Sequence, residues 1–236
     1  MKPEVFKALL LIARPAAGKS EIIDYLKKLS PLDRRDNYHV GDFTVIDDFP
    51  MLWTWFEEDD ILTRLGHPRL HTTTEGNFIN NYLWDLLVER ICLDYVKYRR
   101  DTPMTSTAII EFSRGLEHGG YRRAFEHLSE FVLNDLAILY VDVPWEESLR
   151  KNRKRFNPDK PDSILEHGLS DEKLELLYKE IDWETIIADH PEYIHIKGIR
   201  VPYVVFNNQD DVTTERGAAL GIRLKATLDN LWMRYG

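Results

Sequence analysis

The chain has 236 residues, of which 43% are hydrophobic and 30% are charged, a composition typical of a globular protein long enough for one large α/β domain. Its net charge of −9 disfavours nucleic acid as the main partner, although a local basic patch remains compatible with that charge. The single cysteine, Cys92, excludes an internal disulfide and fits a reducing, cytoplasmic location. No apolar run reaches the length of a membrane span, so we expect no membrane association.

The first predicted element is a strand from about Val5 to Ala13 that leads into a Gly-Lys-Ser turn. Its nearly unbroken apolar sequence is typical of a central parallel strand covered on both faces. Apolar residues then recur at helical spacing up to Leu29. This strand–turn–helix arrangement is the context of a phosphate-binding P-loop, in which backbone N–H groups and the helix dipole hold an anion. The residues that we assign to this nucleotide site are Arg14, Pro15, Ala16, Ala17, Gly18, Lys19, Ser20 and Glu21.

Two residues of the turn have the chemistry that a bound triphosphate needs. Lys19 would place a positive charge on the β- and γ-phosphates, and the Ser20 hydroxyl would bind Mg²⁺. The turn departs from the P-loop pattern because Ala13 replaces its first glycine, and Ala16 occupies a second position at which glycine is common. Alanine fits these positions only where φ stays negative. The alternative is a chance Gly-Lys-Ser at the start of a structural helix, and the preceding apolar strand argues against it.

Acidic residues follow the second predicted strand, Phe43 to Ile46. The carboxyl ends of parallel strands form the edge at which such sheets bind ligands, so we expect at least one of these carboxylates to face the phosphates. Asp47 or Asp48 could orient or deprotonate an acceptor hydroxyl. The alternative is structural, with Asp48 capping the next helix, whose first turn contains Pro50.

The third predicted strand, Thr107 to Phe112, carries a further acidic residue and is followed by an arginine. Glu111 is placed for a contact to Mg²⁺ or to its water shell. Arg114 would hold a substrate phosphate or carboxylate with two parallel hydrogen bonds. The alternative interpretation is that Glu111 and Arg114 pair only with each other.

A helical region from about Met51 to Arg100 lies between these two strands, and we interpret it as an insert that walls the acceptor pocket. Trp53 follows the paired aspartates closely and could stack on a planar acceptor, while the other aromatic residues suit core packing. Thr72 and Glu75 have the spacing of a capping box. The apolar side of the long helix expected after that box comprises Phe78, Tyr82, Leu86 and Leu93.

The fourth predicted strand, Leu136 to Val143, precedes a helix with five positive charges in residues 150–155. A basic helix that leads into a proline-containing loop suits a lid, over about residues 150–170, that closes on ATP. Arg150 and Arg153 are our catalytic candidates in this lid, with Arg155 as a further candidate to reach the phosphates. The alternative is a solvated basic face, or one that touches RNA.

A helix over Asp171 to Ala188, a last strand over Tyr203 to Phe206 and a closing helix over Thr213 to Met233 complete the pattern. The alternation of strands and helices predicts a three-layer α/β/α fold with a five-stranded parallel sheet and right-handed crossovers. We expect a single domain over residues 1–236, with the polar turn after the last strand bordering the adenine.

These features together resemble the P-loop nucleoside and nucleotide kinases, including adenylate-kinase-like and deoxynucleoside-kinase-like enzymes. The matching stretches are Arg14 to Ser20, Asp47-Asp48, Glu111 to Arg114 and Arg150 to Arg155, of which only the P-loop is specific. In the deoxynucleoside kinases a glutamate directly before proline is the base and a nearby tryptophan lines the pocket. The stretch from Asp47 to Trp53 is similar, although Phe49 intervenes here. Adenylate-kinase-like enzymes have Asp-Gly-Phe-Pro-Arg at the end of the third strand, and here the acid and the arginine remain but the glycine does not.

The resemblance implies a P-loop NTPase fold and an ATP- and Mg²⁺-dependent phosphotransferase that acts on a small acceptor, a nucleoside or a nucleotide. Transfer would be in-line, with Lys19, Mg²⁺ and the lid arginines stabilising charge and Asp47 or Asp48 orienting the acceptor. Two alternatives stay open. One is a nucleotide-binding switch protein with slow hydrolysis, which needs no acceptor pocket. The other is a kinase of an RNA end, which the basic run supports and the net charge opposes.

Overall fold

The structure, a computed structural model, describes residues 4–155 and 169–235, in which strands alternate with helices. The strands are β1 (Ala8–Ala13), β2 (Asp42–Asp47), β3 (Ser106–Phe112), β4 (Leu136–Asp142), β5 (Tyr193–Ile196) and β6 (Ile199–Asn207). The helices are α1 (Lys19–Lys28), α2 (Pro31–Tyr38), α3 (Phe49–Arg64), α4 (Tyr82–Asp101), α5 (Gly120–Glu126), α6 (Glu130–Leu133), α7 (Trp145–Arg155), α8 (Asp171–Tyr178), α9 (Trp183–Ile187) and α10 (Ala218–Arg234), with a 3₁₀ turn at Leu116–His118.

The strands form one sheet in the order β2-β3-β1-β4-β6-β5, with β1 near its centre. Neighbouring strands are parallel except for β5 and β6, which are antiparallel. β1 is buried along its whole length because strands flank it on both sides and helices cover both faces, which explains its apolar sequence. The carboxyl ends of β1, β2, β3, β4 and β6 therefore lie at one edge of the sheet, where open α/β sheets bind ligands.

The described part of the chain has six strands in this sheet, so the predicted number of five is wrong. The missed strand, β5, joins β6 through a two-residue turn in which Lys197 and Gly198 have φ values of 51° and 79°. Two positive φ values match the twist of a hairpin turn. β5 is only four residues long and resembles a loop in the sequence. β6 also begins earlier than predicted, because its first half pairs with β5 and its second half with β4.

The sheet separates two hydrophobic cores, and consecutive residues of β1 point alternately into each of them. Leu10 and Ile12 lie in the core beneath α4, α5, α6 and α9. Leu9 and Leu11 lie in the core beneath α1, α2 and α10. This confirms the predicted α/β class with helices on both faces of a mostly parallel sheet. None of the helices within residues 4–155 and 169–235 is long and apolar enough to cross a membrane.

The region predicted as one helical insert forms two helices, α3 and α4, separated by residues 65–81. Asp59 of α3 is fully buried and organises this connection, because its carboxylate accepts hydrogen bonds of 2.6–2.9 Å from the N–H groups of Leu70, His71 and Thr72 and from Thr72 Oγ1. Burial alone would raise the pKa of Asp59, but these hydrogen bonds outweigh it and lower the pKa to about 2. Thr72 thus binds Asp59 and does not begin a capping box, and α4 starts at Tyr82.

Helix α4 turns a different side to the core from the one that its sequence suggested. The buried residues of this side are Leu83, Leu87, Val88, Ile91, Cys92 and Tyr95. Tyr82, Leu86 and Leu93, which we expected in the core, are 58%, 45% and 49% exposed. The helix has apolar residues on two sides, and the spacing of such residues does not tell which side meets the sheet.

The C-terminal half departs from the predicted boundaries in three places. Residues 156–168 of the predicted lid lie outside the described residues. The helix expected over Asp171 to Ala188 is divided into α8 and α9. The closing helix, α10, begins at Ala218, five residues after the expected Thr213.

Candidate functional site

Side chains of other elements hold the backbone where β1 leads into α1. The carbonyl oxygens of Ala13, at the end of β1, and of two residues in the following loop accept hydrogen bonds from α5, from α7 and from the chain after β6. The pairs, acceptor first, are Ala13 with Tyr121 Oη at 2.9 Å, Pro15 with Ser148 Oγ at 2.7 Å and Ala17 with Asn208 Nδ2 at 2.9 Å. Ile22 N donates to Gly18 O, so the N–H groups before it in the first turn of α1 have no acceptor inside the helix. Such a turn can hold an anion.

Two positions in this loop have left-handed backbone. Gly18 has a φ of 110°, and a Cβ there would lie 2.5 Å from Thr213 Oγ1, so both conformation and space require glycine. Ala16 has a φ of 58°, so the expectation that alanine keeps a negative φ is wrong at this position. Left-handed backbone costs an alanine about 1–2 kcal/mol. The hydrogen bonds to the carbonyl groups of Pro15 and Ala17 hold Ala16 in this conformation.

Lys19 reaches from α1 to the end of the neighbouring strand β3. It is 7% exposed, its Nζ donates a hydrogen bond to Ser113 Oγ at 2.8 Å, and it lies 3.7 Å from Glu111 Oε1. Ser20 is exposed beside it in the first turn of α1. Glu111 thus contacts Lys19 and does not pair with Arg114, so the alternative in which Glu111 and Arg114 bind only each other is wrong.

Asp47 and Glu111 are register neighbours at the ends of β2 and β3, so their side chains project from the same face of the sheet. Asp47 Oδ1 accepts a hydrogen bond from the N–H of Phe49 at 3.0 Å. Burial, together with the negative charges of Asp48 and Glu111, raises the pKa of Asp47 to about 7. A carboxyl group with such a pKa exchanges its proton near neutral pH, which suits a general base.

Asp48 forms a buried ion pair with Arg114. The distance from Arg114 Nη1 to Asp48 Oδ2 is 2.6 Å, and the two side chains are 2% and 10% exposed. Arg114 also donates to the carbonyl oxygens of Ser113 and Trp84 at 2.8 and 3.3 Å. Its guanidinium lies 5.2 Å from the ring centres of Trp84 and Phe112. The side chain of Asp48 makes no capping hydrogen bond to α3, so its partner is Arg114.

Ring side chains that the sequence analysis did not identify lie beside this ion pair. The ring centres of Trp84 and His118 are 3.9 Å apart, and those of His118 and Tyr178 are 5.0 Å apart. Burial and the charge of Arg114 lower the pKa of His118 to about 3, so its ring is neutral. These rings come from α4, the 3₁₀ turn and α8, and no spacing in the sequence connects them. Trp53, the predicted stacking residue, lies on α3 with its ring 6.0 Å from that of Phe49.

The arginines of the basic helix α7 all face carboxylates. The pairs are Arg150 with Glu147 and Asp211, Arg153 with Asp171 of α8, and Arg155 with Glu21. The distance of 3.9 Å between Arg155 Nη2 and Glu21 Oε2 brings the end of α7 to the first turn of α1. Lys151, which the sequence analysis did not assign to the site, is 7% exposed, pairs with Asp211 and donates to Thr213 Oγ1 at 3.3 Å.

A cavity of about 180 Å³ opens beside α1 and α7. Its lining includes Glu21 and five cationic residues, Arg150, Lys151, Lys154, Arg155 and Arg216. Carboxylates outside this lining already pair with Arg150, Lys151 and Arg216, so an anionic ligand would compete with them for these cations. Arg14 has a different environment, since it donates to the carbonyl oxygens of Val143 and Lys179 at 3.4 and 3.1 Å.

The donor set at the sheet edge fits a Mg²⁺ ion that is held partly by substrate. Three carboxylates, those of Asp47, Asp48 and Glu111, surround the two cations Lys19 and Arg114, so this cluster has an excess of negative charge. Within residues 4–155 and 169–235, no group of three acidic, histidine or cysteine side chains could hold a metal ion by itself. Mg²⁺ usually takes one or two carboxylates, waters and substrate phosphates, so Ser20 and Glu111 are suitable protein ligands.

The structure brings five predicted residues into one cluster at the ends of β1, β2 and β3. They are Lys19, Asp47, Asp48, Glu111 and Arg114. Arg150 and Arg155 lie at the neighbouring cavity, whereas Arg153 contacts α8. Comparison with known proteins identifies no relative, since no protein-family model and no curated protein matches this chain. The functional interpretation therefore depends on these residues and their geometry.

Proposed function

We propose that the protein is an ATP- and Mg²⁺-dependent phosphotransferase that acts on a small hydroxyl-bearing acceptor, a nucleoside or a nucleotide. The observation that carries the proposal is the cluster at the sheet edge, where Lys19 lies 3.7 Å from Glu111 and where Asp47 has a pKa of about 7. Phosphoryl transfer needs positioned positive charge for the phosphates and a group that accepts the hydroxyl proton. Both are present within one cluster that adjoins the loop before α1.

Each residue has a distinct task in this mechanism. The N–H groups of the loop and the ammonium of Lys19 bind the β- and γ-phosphates and stabilise the charge that develops on them. Asp47 accepts the proton of the acceptor hydroxyl as the hydroxyl oxygen attacks the γ-phosphorus, and the bond from that phosphorus to the bridging oxygen of ATP breaks, so that ADP leaves. Bound Mg²⁺ would neutralise part of the phosphate charge, with the Ser20 hydroxyl and the Glu111 carboxylate as its protein ligands.

Arg114 supports this mechanism as a positioning residue. Its ion pair with Asp48 fixes the segment that follows Asp47, and its bonds to Ser113 and Trp84 connect β3 to α4. Because Asp48 already neutralises Arg114, this arginine is not available to bind a phosphate of the acceptor, so we favour a nucleoside over a nucleotide.

The pairing of the α7 arginines weakens the interpretation of this helix as an RNA surface. Each of these arginines lies close to a carboxylate, and cations that are already neutralised release few counterions when they meet a phosphate backbone. A nucleotide switch would need the loop and Lys19 but no base at the end of β2. Acceptor-dependent chemistry therefore separates the proposed function from both alternatives.

The test measures ADP release from Mg-ATP in the presence of nucleosides, nucleoside monophosphates and short RNA, with mass spectrometry of the products. We expect ADP release that depends on the acceptor and is fastest with a nucleoside. Hydrolysis that is independent of every acceptor would favour the switch, and phosphorylated RNA ends would favour the RNA kinase. Absence of ATP binding by calorimetry would refute the nucleotide site itself.

A further inference from the structure

Ser113 lies between the two cations of the candidate cluster and contacts both of them. Its hydroxyl oxygen accepts a hydrogen bond from Lys19 Nζ at 2.8 Å, and its carbonyl oxygen accepts one from Arg114 Nη1 at 2.8 Å. The proposed mechanism uses Lys19 and Arg114 but gives this serine no task. Because Ser113 binds Lys19 directly, it can determine how that lysine is presented to a phosphate.

The backbone fixes the position of the Ser113 hydroxyl. β1 and β3 are parallel neighbours in which Ile12 pairs with Phe112, so Ser113 is the first residue beyond β3 at the edge of the sheet. Phe112 is buried in the core, and the guanidinium that binds the carbonyl of Ser113 is itself held by Asp48. Ser113 is therefore held on both sides, and its hydroxyl gives Lys19 a partner at a defined place.

The hydrogen bond to Ser113 keeps Lys19 out of direct contact with Glu111. Lys19 Nζ lies 3.7 Å from Glu111 Oε1, which is beyond hydrogen-bond distance, although the two side chains are only 8% and 15% exposed. Opposite charges attract strongly where water is largely excluded, and a direct contact would bring these two atoms to about 2.7–2.9 Å. The hydroxyl of Ser113 thus occupies the place on Lys19 that the carboxylate would otherwise take.

An ammonium that touches a carboxylate binds phosphate less well than one that touches a neutral hydroxyl. The carboxylate cancels part of the positive charge and repels the phosphate. The hydroxyl uses one of the three N–H donors of an ammonium and leaves its charge in place, so two donors of Lys19 remain for phosphate oxygens. The identity of the partner therefore decides how strongly Lys19 can attract a nucleotide.

We propose that Ser113 is a positioning residue, which holds Lys19 for the phosphates of the nucleotide by preventing direct contact between Lys19 and Glu111. This inference rests on the proposed function, since it requires Lys19 to bind phosphate. In a purely structural role the hydroxyl would only satisfy a buried ammonium, and the charge of Glu111 would not matter. In the positioning role, loss of the hydroxyl weakens phosphate binding only while Glu111 carries its charge.

The first experiment measures ATP binding by calorimetry in the presence of EDTA, so that neither Mg²⁺ nor turnover enters the result. Ser113→Ala should weaken ATP binding about 10-fold, because Lys19 then contacts Glu111. Ser113→Thr keeps a hydroxyl and should retain the affinity of the unmodified chain. Ser106→Ala is the matched control, since it removes a buried serine hydroxyl at the opposite end of β3, and it should leave the affinity unchanged.

Circular dichroism melts establish that each variant folds. Ser113→Cys, whose thiol is a weak hydrogen-bond acceptor, replaces Ser113→Ala if that variant does not fold, and it should weaken ATP binding in the same direction.

The second experiment tests the part played by Glu111. Glu111→Gln removes the charge that draws Lys19 away, so Ser113→Ala should have no further effect on ATP binding in a Glu111→Gln background. The same substitution should also have no further effect in a Lys19→Ala background, because no ammonium is left to position.

The outcomes distinguish failure of the positioning role from failure of the proposed function. An unmodified chain that does not bind ATP, or an ATP affinity that Lys19→Ala leaves unchanged, refutes the nucleotide site and the positioning role together. If ATP binds through Lys19 but Ser113→Ala matches the unmodified chain, the positioning role is overturned and the nucleotide site stands. An equal loss of affinity with and without the charge of Glu111 also overturns the positioning role.

Discussion

The two halves of the candidate site are built in different ways. The half that we propose for the phosphate donor, called the donor half, comprises residues 14–18 and the first turn of α1, a continuous stretch whose carbonyl groups are held by side chains of other elements. The half that we propose for the acceptor, called the acceptor half, is assembled from the ends of β2 and β3 together with α4, and its ion pair joins Asp48 to Arg114 across 66 positions of sequence. A continuous site can be recognised from its spacing, whereas an assembled site depends on how distant elements pack.

The two halves also differ in the sign and burial of their charges. The donor half faces a cavity rich in cations, and its charges lie where a ligand can meet them. The acceptor half has a nearly buried ion pair and an excess of carboxylate. We therefore expect substitutions in the donor half to change activity with little loss of stability. Substitutions of the acceptor ion pair should change stability as well.

Lys19→Ala is expected to have the largest effect. In the proposed mechanism Lys19 faces the transferring phosphoryl group, so loss of its charge should lower turnover about 10³-fold and weaken ATP binding. The melting temperature should change little, since Lys19 lies at the sheet edge with Ser113 and Glu111 as its side-chain contacts. Lys28→Ala, at the exposed end of the same helix, is the matched control and should retain activity. Unchanged ATP affinity by calorimetry in a folded Lys19→Ala variant would contradict the nucleotide site.

Asp48→Asn tests the buried ion pair and should act mainly on stability. The substitution leaves the guanidinium of Arg114, which is 2% exposed, without its compensating charge, and we expect a loss of about 3 kcal/mol in the free energy of unfolding. Urea denaturation measures it. Glu175→Gln removes the exposed pair with Lys179 and should change the same quantity by less than about 0.5 kcal/mol. Equal, small effects of both substitutions would show that Arg114 does not depend on Asp48.

Asp47→Asn tests the role of Asp47 as the proposed general base. In the proposed mechanism its carboxylate acts on the acceptor hydroxyl, so turnover should fall about 10²-fold while ATP affinity stays close to that of the unmodified protein. Asp42→Asn is the control at the opposite end of the same strand, where Asp42 pairs with Arg34. Normal turnover in the Asp47→Asn variant would remove Asp47 from the chemical step.

The same residue predicts a pH dependence of stability. The pKa of Asp47 is about 7 in the folded protein, against about 3.9 for an unfolded aspartate. The folded state therefore binds the carboxyl proton of Asp47 more tightly than the unfolded chain does. The stability that this protonated carboxyl contributes is fully present below pH 4 and is lost as pH rises to 7. Asp47→Asn should exceed the unmodified protein in unfolding free energy by at least about 1 kcal/mol at pH 8 and equal it at pH 4. Parallel urea-denaturation profiles against pH would contradict the raised pKa.

The sequence predicted the central sheet well because its strands are apolar runs that helices cover on both faces. It did not predict β5, whose four residues become a strand only by pairing with β6. It also assigned the wrong side of α4 to the core, since Leu86 and Leu93 have the same spacing as the buried residues. Local pattern identifies an element, and packing against other elements decides its edges and its buried face.

The candidate site likewise contains residues that the sequence could place and residues whose contacts depend on packing. Lys19, Asp47 and Glu111 stand at the ends of predicted strands, so topology alone brings them to one edge of the sheet. The pairing of Asp48 with Arg114 was not predictable, because both were expected to serve a substrate and only the packed structure shows that they bind each other. The prediction of a negative φ at Ala16 was wrong because contacts from outside the loop impose its left-handed backbone.

Ala16→Gly should have the smallest effect, and it tests directly whether the backbone at Ala16 is left-handed. Alanine at a φ of 58° costs about 1–2 kcal/mol that glycine does not, while the greater freedom of glycine in the unfolded chain costs about 0.5–1 kcal/mol. The net expectation is a gain of about 0.5–1 kcal/mol in unfolding free energy.

The neighbouring substitution Ala17→Gly is the control for Ala16→Gly, because Ala17 is equally buried but has no positive φ. It should destabilise the protein by about 1 kcal/mol, since only the entropic cost and the lost methyl group remain. Urea denaturation of the two variants in parallel separates the effect of backbone conformation on the unfolding free energy from the effect of losing a buried methyl group. Destabilisation of similar size at both positions would mean that Ala16 is not left-handed in solution. The donor half would then owe its shape to its own sequence and not to the elements that brace it.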